Sequence, residues 1–176
     1  MLAITGRLRV EVRDASGVLV GAREVPNTVV RSGAELLAAL FTGKTATPLN
    51  GFGVGTNGQP TSAPYEVPSL AAFDEAGQPL VGPVAAPIAP DAFTVETVAA
   101  EQRVRIRARS VLPPQAANAA DGRDVAIAEA ALGVLDGTGA KLAAIYNRVV
   151  FEPIPKAREH ELVLYWEISF PYGISS

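Results

Sequence analysis

The 176-residue chain contains no cysteine, which removes disulfide stapling, thiolate metal sites and a cysteine nucleophile together. Histidine, methionine and tryptophan occur once each. A single imidazole makes no zinc site unless carboxylates complete it, and a hydrolytic triad needs a nucleophile elbow that none of the serines provides. Cationic excess is also missing. The net charge is -3, which argues against a general nucleic-acid binder because phosphate recognition needs a basic face. No apolar run reaches the length of a bilayer span, and Met1–Arg7 passes straight into strand-like alternation without the apolar core of a signal peptide. The expectation is a soluble protein made in a cytoplasm and not inserted in a membrane. One domain over residues 1–176 is expected, burying roughly 70% of the surface its unfolded chain exposes.

What the chain does have is period-two alternation. Leu162, Leu164, Trp166, Ile168 and Phe170 recur at every second position of the run Glu159–Phe170, the pattern of a strand that buries one face. The intervening Val163, Tyr165, Glu167 and Ser169 make a mixed face, suited to being half wet or to meeting a partner subunit. Before it, Lys141–Phe151 reads as a second strand, ended by the breaker Glu152-Pro153-Ile154-Pro155-Lys156. Near the start, Leu8, Val10 and Val12 alternate with Arg7, Arg9, Glu11 and Arg13. Asp14-Ala15-Ser16-Gly17 then turns the chain into a returning arm, Val18–Val25. Phe93–Val98 and Gln102–Leu112 form a further hairpin, with Val104, Ile106 and Ala108 inward and Arg103, Arg105, Arg107 and Arg109 outward. Asp124–Leu135 changes parity between Ile127 and Leu132, which predicts a bulge near Glu129–Ala131.

One segment breaks the strand pattern. Ser32-Gly33-Ala34-Glu35 reads as a capping box that opens a short helix over Leu36–Phe41, stopped by Gly43. Apolar nearly all round, this helix is expected to be covered, most simply by plugging one end of a sheet. Seven or eight strands, short turns and one helix specify an all-β fold, an antiparallel β-sandwich of jelly-roll-like kind. Its long excursion, residues 57–90, is broken by seven prolines, with only Ser69–Phe73 looking ordered. Tyr65, Leu70, Phe73, Leu80, Val84 and Ile88 give this arm too many apolar groups for a solvating linker, so it is expected to order on a neighbouring subunit.

Chemistry is sparse. Gly53-Val54-Gly55-Thr56-Asn57-Gly58 has the glycine spacing of a dinucleotide fingerprint, but it opens into Gln59-Pro60-Thr61-Ser62-Ala63-Pro64 where a helix is required, and reads as a glycine-rich turn. Gly43-Lys44-Thr45 follows a helix instead of starting one, so it is no phosphate loop. His160 lies between two glutamates at a strand start, a surface position. Asp121, Asp124 and Asp136 lie in turns, where aspartate bonds nearby amides, and a calcium site would need several such ligands converging. The arginine face is first a solvated strand protected from edge pairing and second a docking face for an acidic neighbour. Glu129 and Arg148 both interrupt apolar strands; paired across adjacent strands they form a structural ion pair. No catalytic, cofactor-binding or metal-binding residue is assigned, and the protein is expected not to be an enzyme.

A resemblance adds to this. Asn27-Thr28-Val29-Val30 with Gly33 and the Leu36–Leu40 helix, Gly53-Val54-Gly55-Thr56, Ile127-Ala128-Glu129-Ala130 with Leu132, Tyr146-Asn147-Arg148-Val149-Val150-Phe151 and Tyr165-Trp166-Glu167-Ile168 occur in this order. Together they resemble small structural proteins of tailed-phage virions and of phage-tail-like contractile injection particles. The resemblance implies a tail, baseplate, fibre or decoration component that self-associates into a homo-oligomer and docks to other virion proteins. It also implies assembly in a bacterial host cytoplasm. The alternative is a receptor- or carbohydrate-binding module at a fibre tip, which would need exposed aromatics clustered at one end of the sandwich.

Overall fold

The computed structural model describes residues 4–44, 47–59, 63, 65–67 and 69–173, apart from the side chain of Thr28. Thr45 of the Gly-Lys-Thr motif and Pro60, Thr61, Ser62, Pro64 and Pro68 of the excursion lie outside the described residues. The chain is mostly β, with strands β1 (Thr5–Arg13), β2 (Leu19–Pro26), β3 (Thr28–Val29), β4 (Gly51–Gly55), β5 (Ala85–Pro87), β6 (Phe93–Val98), β7 (Arg103–Leu112), β8 (Val125–Leu135), β9 (Leu142–Lys156) and β10 (Glu161–Pro171), and one helix, α1 (Arg31–Phe41).

The strands form two five-stranded antiparallel sheets, ordered β2-β1-β10-β7-β6 and β3-β9-β8-β4-β5. β10 is central in the first sheet, between β1 and β7. Its alternation puts Leu162, Leu164, Trp166 and Ile168 inside, together with Leu8, Val10 and Val12 of β1. From the second sheet Phe52, Val54, Ile127, Leu132, Tyr146 and Val149 enter the same core. Phe52 stacks on Trp166 across the gap, ring centroids 5.5 Å apart and 13° from parallel. The predicted hairpins β1–β2 and β6–β7 form in the predicted faces, and β8 carries register shifts on both sides of the expected bulge, at Ile127/Glu129 and Leu132/Gly133.

Four expectations are corrected. The breaker at 152–156 does not end its strand: β9 continues through Pro153 and Pro155 to Lys156, paired with β8. It can do so because β3 pairs only with Asn147 and Arg148, so further on β9 is an edge where proline costs no ladder bond. The capping box is absent. Helix α1 begins two residues early, Val30 at its N-cap makes no side-chain bond, and the Ser32 hydroxyl donates to the Ile145 carbonyl instead. Nor is the helix covered. Gly33 alone among its residues is buried, and Phe41 is 89% exposed.

The fourth correction concerns the excursion. Part of it packs on the second sheet of its own chain. Leu70 joins Val30, Ala131, Ile145 and Leu142 in a small cluster on the outer face of that sheet. Gly53 makes the room: a Cβ there would sit 2.9 Å from both Leu70 and Leu142 side chains. The Thr56 amide donates to the Ala71 carbonyl at 3.0 Å, and the Ala71 amide donates to Glu129 Oε1 at 2.7 Å. The excursion also supplies β5, a strand hidden from sequence reading between Pro83 and Pro87.

Candidate functional site: an open apolar groove

The two sheets do not cover one another equally. Along β6, β7 and β10 the inward parity gives Phe93, Val95, Ile106, Ala108, Trp166, Ile168 and Phe170, all apolar because each occupies the core side of a pleated strand. From the second sheet Phe52 stacks on Trp166, and Leu132 and Tyr146 line the same face. Beyond them the layers part, leaving a groove of about 660 Å³. Its far wall is built by Leu37 and Leu40 of α1 and by Pro48, Leu49 and Asn50 of the following loop.

The wall stands where it does because α1 is tethered at one end only. A Cβ on Gly33 would lie 1.9 Å from the Tyr146 carbonyl oxygen, so glycine lets the first helical turn rest directly on β9. Val30 N–H donates to that same carbonyl at 3.1 Å. The last turn then projects past the sheet, leaving Leu40 53% and Phe41 89% exposed beside Val95 at 69%.

The floor has an unusual polar content. Tyr146 Oη and Trp166 Nε1 are buried without a hydrogen-bond partner among the described residues, as are both polar atoms of the neighbouring Asn147 side chain. Burial pushes the Tyr146 phenol above its ordinary value, so it stays a neutral hydroxyl at physiological pH.

A second cavity, about 750 Å³, lies at the other end of β4: Asn50, just before the strand, lines the first cavity and Thr56, just after it, lines the second. Its lining is mixed, with Val25, Phe73, Val125 and Phe151 beside charged groups. Asp74, Glu75, Asp124, Glu152 and Arg123 meet there, yet no group of three potential metal ligands is formed among the described residues. Asp74 Oδ1 is occupied as a turn cap, accepting from the Ala76 and Gln78 amides at 2.9 and 2.8 Å.

The other residues singled out from sequence are scattered. His160 Nδ1 accepts from the Ala157 amide at 3.3 Å, closing a turn. Asp121 and Asp136 cap their own turns through Arg123 N–H and through Thr138 and Ala140 N–H. The Arg123 amide, with its guanidinium, lowers the Asp121 carboxyl pKa, and the Thr138 hydroxyl, with nearby amides, lowers that of Asp136, burial acting the other way in each. Gly53–Gly55 closes β4 and holds no ligand cradle. The arginine face is neutralised within its own sheet: Arg105 reaches Glu101 at 2.8 Å and Glu167 at 3.3 Å, Arg107 reaches Glu167 at 2.9 Å and Glu96 at 3.2 Å. Arg109 lies over the Tyr165 ring, 5.7 Å from its centroid.

Glu129 and Arg148 do form the structural pair, 2.6 Å apart and almost wholly buried, between the second sheet and the excursion. Lys156 was not singled out in the sequence and proves as deeply buried as any core residue. Its ammonium donates to Asn118 Oδ1 at 2.8 Å and to the Pro114 carbonyl at 3.2 Å, pinning the loop after β7. Burial lowers its pKa to about 8, against a smaller opposing pull from Glu159. Alternation could not announce it, because inward Val149 and Phe151 are odd-numbered and Ile154 and Lys156 even-numbered, the register with β8 shifting between them.

Among the described residues no helix is long and apolar enough to cross a membrane. Comparison with family models, with curated proteins and with solved structures finds no match to this chain.

Proposed function

We propose that this chain is a non-enzymatic structural and assembly protein of a tailed-phage virion or related contractile injection particle. It works by self-association and by docking to neighbouring particle proteins. The observation that carries the assembly reading is the uncovered inner face of the first sheet, where Leu40, Phe41 and Val95 stay exposed around a groove of about 660 Å³. A contiguous apolar surface of this kind is what a protein interface needs. Placement in a virion rests on the sequence resemblance. The architecture in this reading is a β-sandwich without the jelly-roll variant: a jelly roll sends nearly every consecutive strand to the opposite sheet, and here β1–β2, β6–β7 and β8–β9 each stay within one.

The fibre-tip alternative draws no support from the exposed aromatics. Phe41 lies on α1, Tyr65 and Phe73 in the excursion and Tyr172 after β10, so they form no single platform. The test is fractionation of the producing cells on a density gradient, with the chain followed by mass spectrometry. Recovery in stoichiometric amounts with particles is expected; recovery only as free protein, with particles complete without it, would overturn the proposal.

A further inference from the structure

The first sheet has two edges, and they are treated differently. The β2 edge is closed by β9: Arg23 Nε donates to the Glu152 carbonyl at 3.2 Å, and Gly21 packs against Ile154. The β6 edge has nothing on it among the described residues. Apart from the Phe93 amide, which donates to the Pro90 carbonyl in the preceding turn, residues 93–98 make no backbone bond to a strand other than β7 among the described residues. Monomeric proteins blunt such an edge with lysine, proline, a bulge or an inward charge. β6 has none of these over its six residues: the sequence is Phe-Thr-Val-Glu-Thr-Val, its register to β7 is unbroken, and its inward positions are Phe93, Val95 and Thr97.

We infer that β6 is the seam of a two-fold dimer, in which β6 of one copy pairs antiparallel with β6 of a second copy about Val95. The inference rests on the assembly reading and names its partner. Parity and charge select the register. Centring on Val95 places Val95 opposite Val95, Phe93 opposite Thr97 and Thr94 opposite Glu96, so inward faces stay together over residues 93–97 and the two Glu96 carboxylates are offset. Centring between Val95 and Glu96 turns one apolar face toward the partner's charged face. Centring on Glu96 sets two carboxylates directly opposite, which is unfavourable.

The Val95 register satisfies the free backbone groups of both edges and joins the two first sheets into one. It also brings the two grooves together at their open side, since Val95 and Leu40 line the same cavity. The exposed apolar rim of each copy then faces that of the other. This is an isologous contact that closes on itself.

Native cysteine is absent, so introduced thiols report the register without background. V95C is expected to form a disulfide-linked dimer on mild oxidation, while E96C, held on the opposite face, does not. F93C mixed with T97C should link into heterodimers, and neither should link efficiently alone. V95K, which installs the missing inward charge, should weaken dimerisation at least about 100-fold by sedimentation velocity. Val95 and Thr97 are exposed while Phe93 is half-buried against the core, so circular dichroism checks that each variant keeps the monomer fold. If the wild-type chain self-associates but V95C does not link and V95K associates normally, the seam is wrong while the assembly reading stands. A wild-type chain that is monomeric at every concentration overturns the seam as well, and the gradient experiment then decides the assembly reading separately.

Discussion

Glu129 and Arg148 illustrate how one buried charge pair organises three segments. Glu129 Oε2 takes the guanidinium of Arg148 at 2.7 Å, its Oε1 takes the Ala71 amide at 2.7 Å, and Gly55 is bare because a Cβ would meet that carboxylate at 2.4 Å. Replacing Arg148 by methionine keeps the bulk and strands a buried carboxylate. The expected cost is about 3–5 kcal/mol in urea unfolding, with the double variant E129Q/R148M losing less than R148M alone. Lys156 makes a different prediction. Its folded-state pKa of about 8 lies below the ordinary 10.5, so between these values the unfolded chain holds the proton that the folded chain has released. Stability therefore rises with pH in that window, the reverse of a group stabilised by a counter-ion. Tyr146, whose pKa is raised by burial, favours the folded state below pH 10 and loses that contribution above it, so the clean interval is pH 8 to 10. Wild type should gain on the order of 2 kcal/mol there relative to K156M, measured by urea unfolding at fixed temperature. Sequence showed the ion pair because two charges interrupted apolar runs. It hid the lysine because two prolines, which disfavour a strand, stood beside it.

At the scale of elements, alternation was the reliable signal. The parities of β1, β7 and β10 were legible because each has a sheet neighbour on both sides and one apolar face, so a slip of one residue would expose a core. Helix α1 was legible in extent and misread in setting, since its apolar residues imply a cover and do not say whether the chain supplies it. The contact that does hold it is Gly33. G33A should cost about 1–3 kcal/mol, because its methyl cannot fit against the Tyr146 carbonyl, and should loosen the helix more than β9 in hydrogen exchange. F41S should leave stability within about 0.5 kcal/mol of wild type in thermal unfolding, because Phe41 touches solvent and not core. The excursion's apolar residues imply a surface to pack on. Gly53 and Glu129 supply one within the same chain, which no local pattern announces. Limited proteolysis of the isolated protein should therefore spare residues 70–73 and 80–84; rapid cutting there would contradict the docking seen on the second sheet.

Across the whole molecule, the two sheets share one core and differ in what lies on their outer faces. The second sheet is packed by its own excursion, whereas the first carries a nearly balanced lattice of arginine and glutamate. Glu11 anchors that lattice at β1: burial tends to raise its pKa, and hydrogen bonds from Arg13 and Arg9 outweigh it, so the net shift is downward. Its contribution to stability is present above its ordinary pKa of 4.5 and fades as pH falls below it. Neither lattice nor excursion shields the inner face at β6, and this open side was not legible in the sequence. Periodicity reports which face of a strand is apolar; it does not report how far the opposite sheet extends over it. The groove and the bare edge thus belong to the tertiary structure alone, and the proposed dimer seam requires that edge to be paired.

Amide hydrogen exchange across a concentration series measures that requirement directly. The account predicts that the amides of residues 93–98 exchange freely in dilute protein and become protected as concentration rises, in step with the mass of the assembly. Unprotected β6 amides at every concentration, in free protein and in purified particles alike, would contradict it.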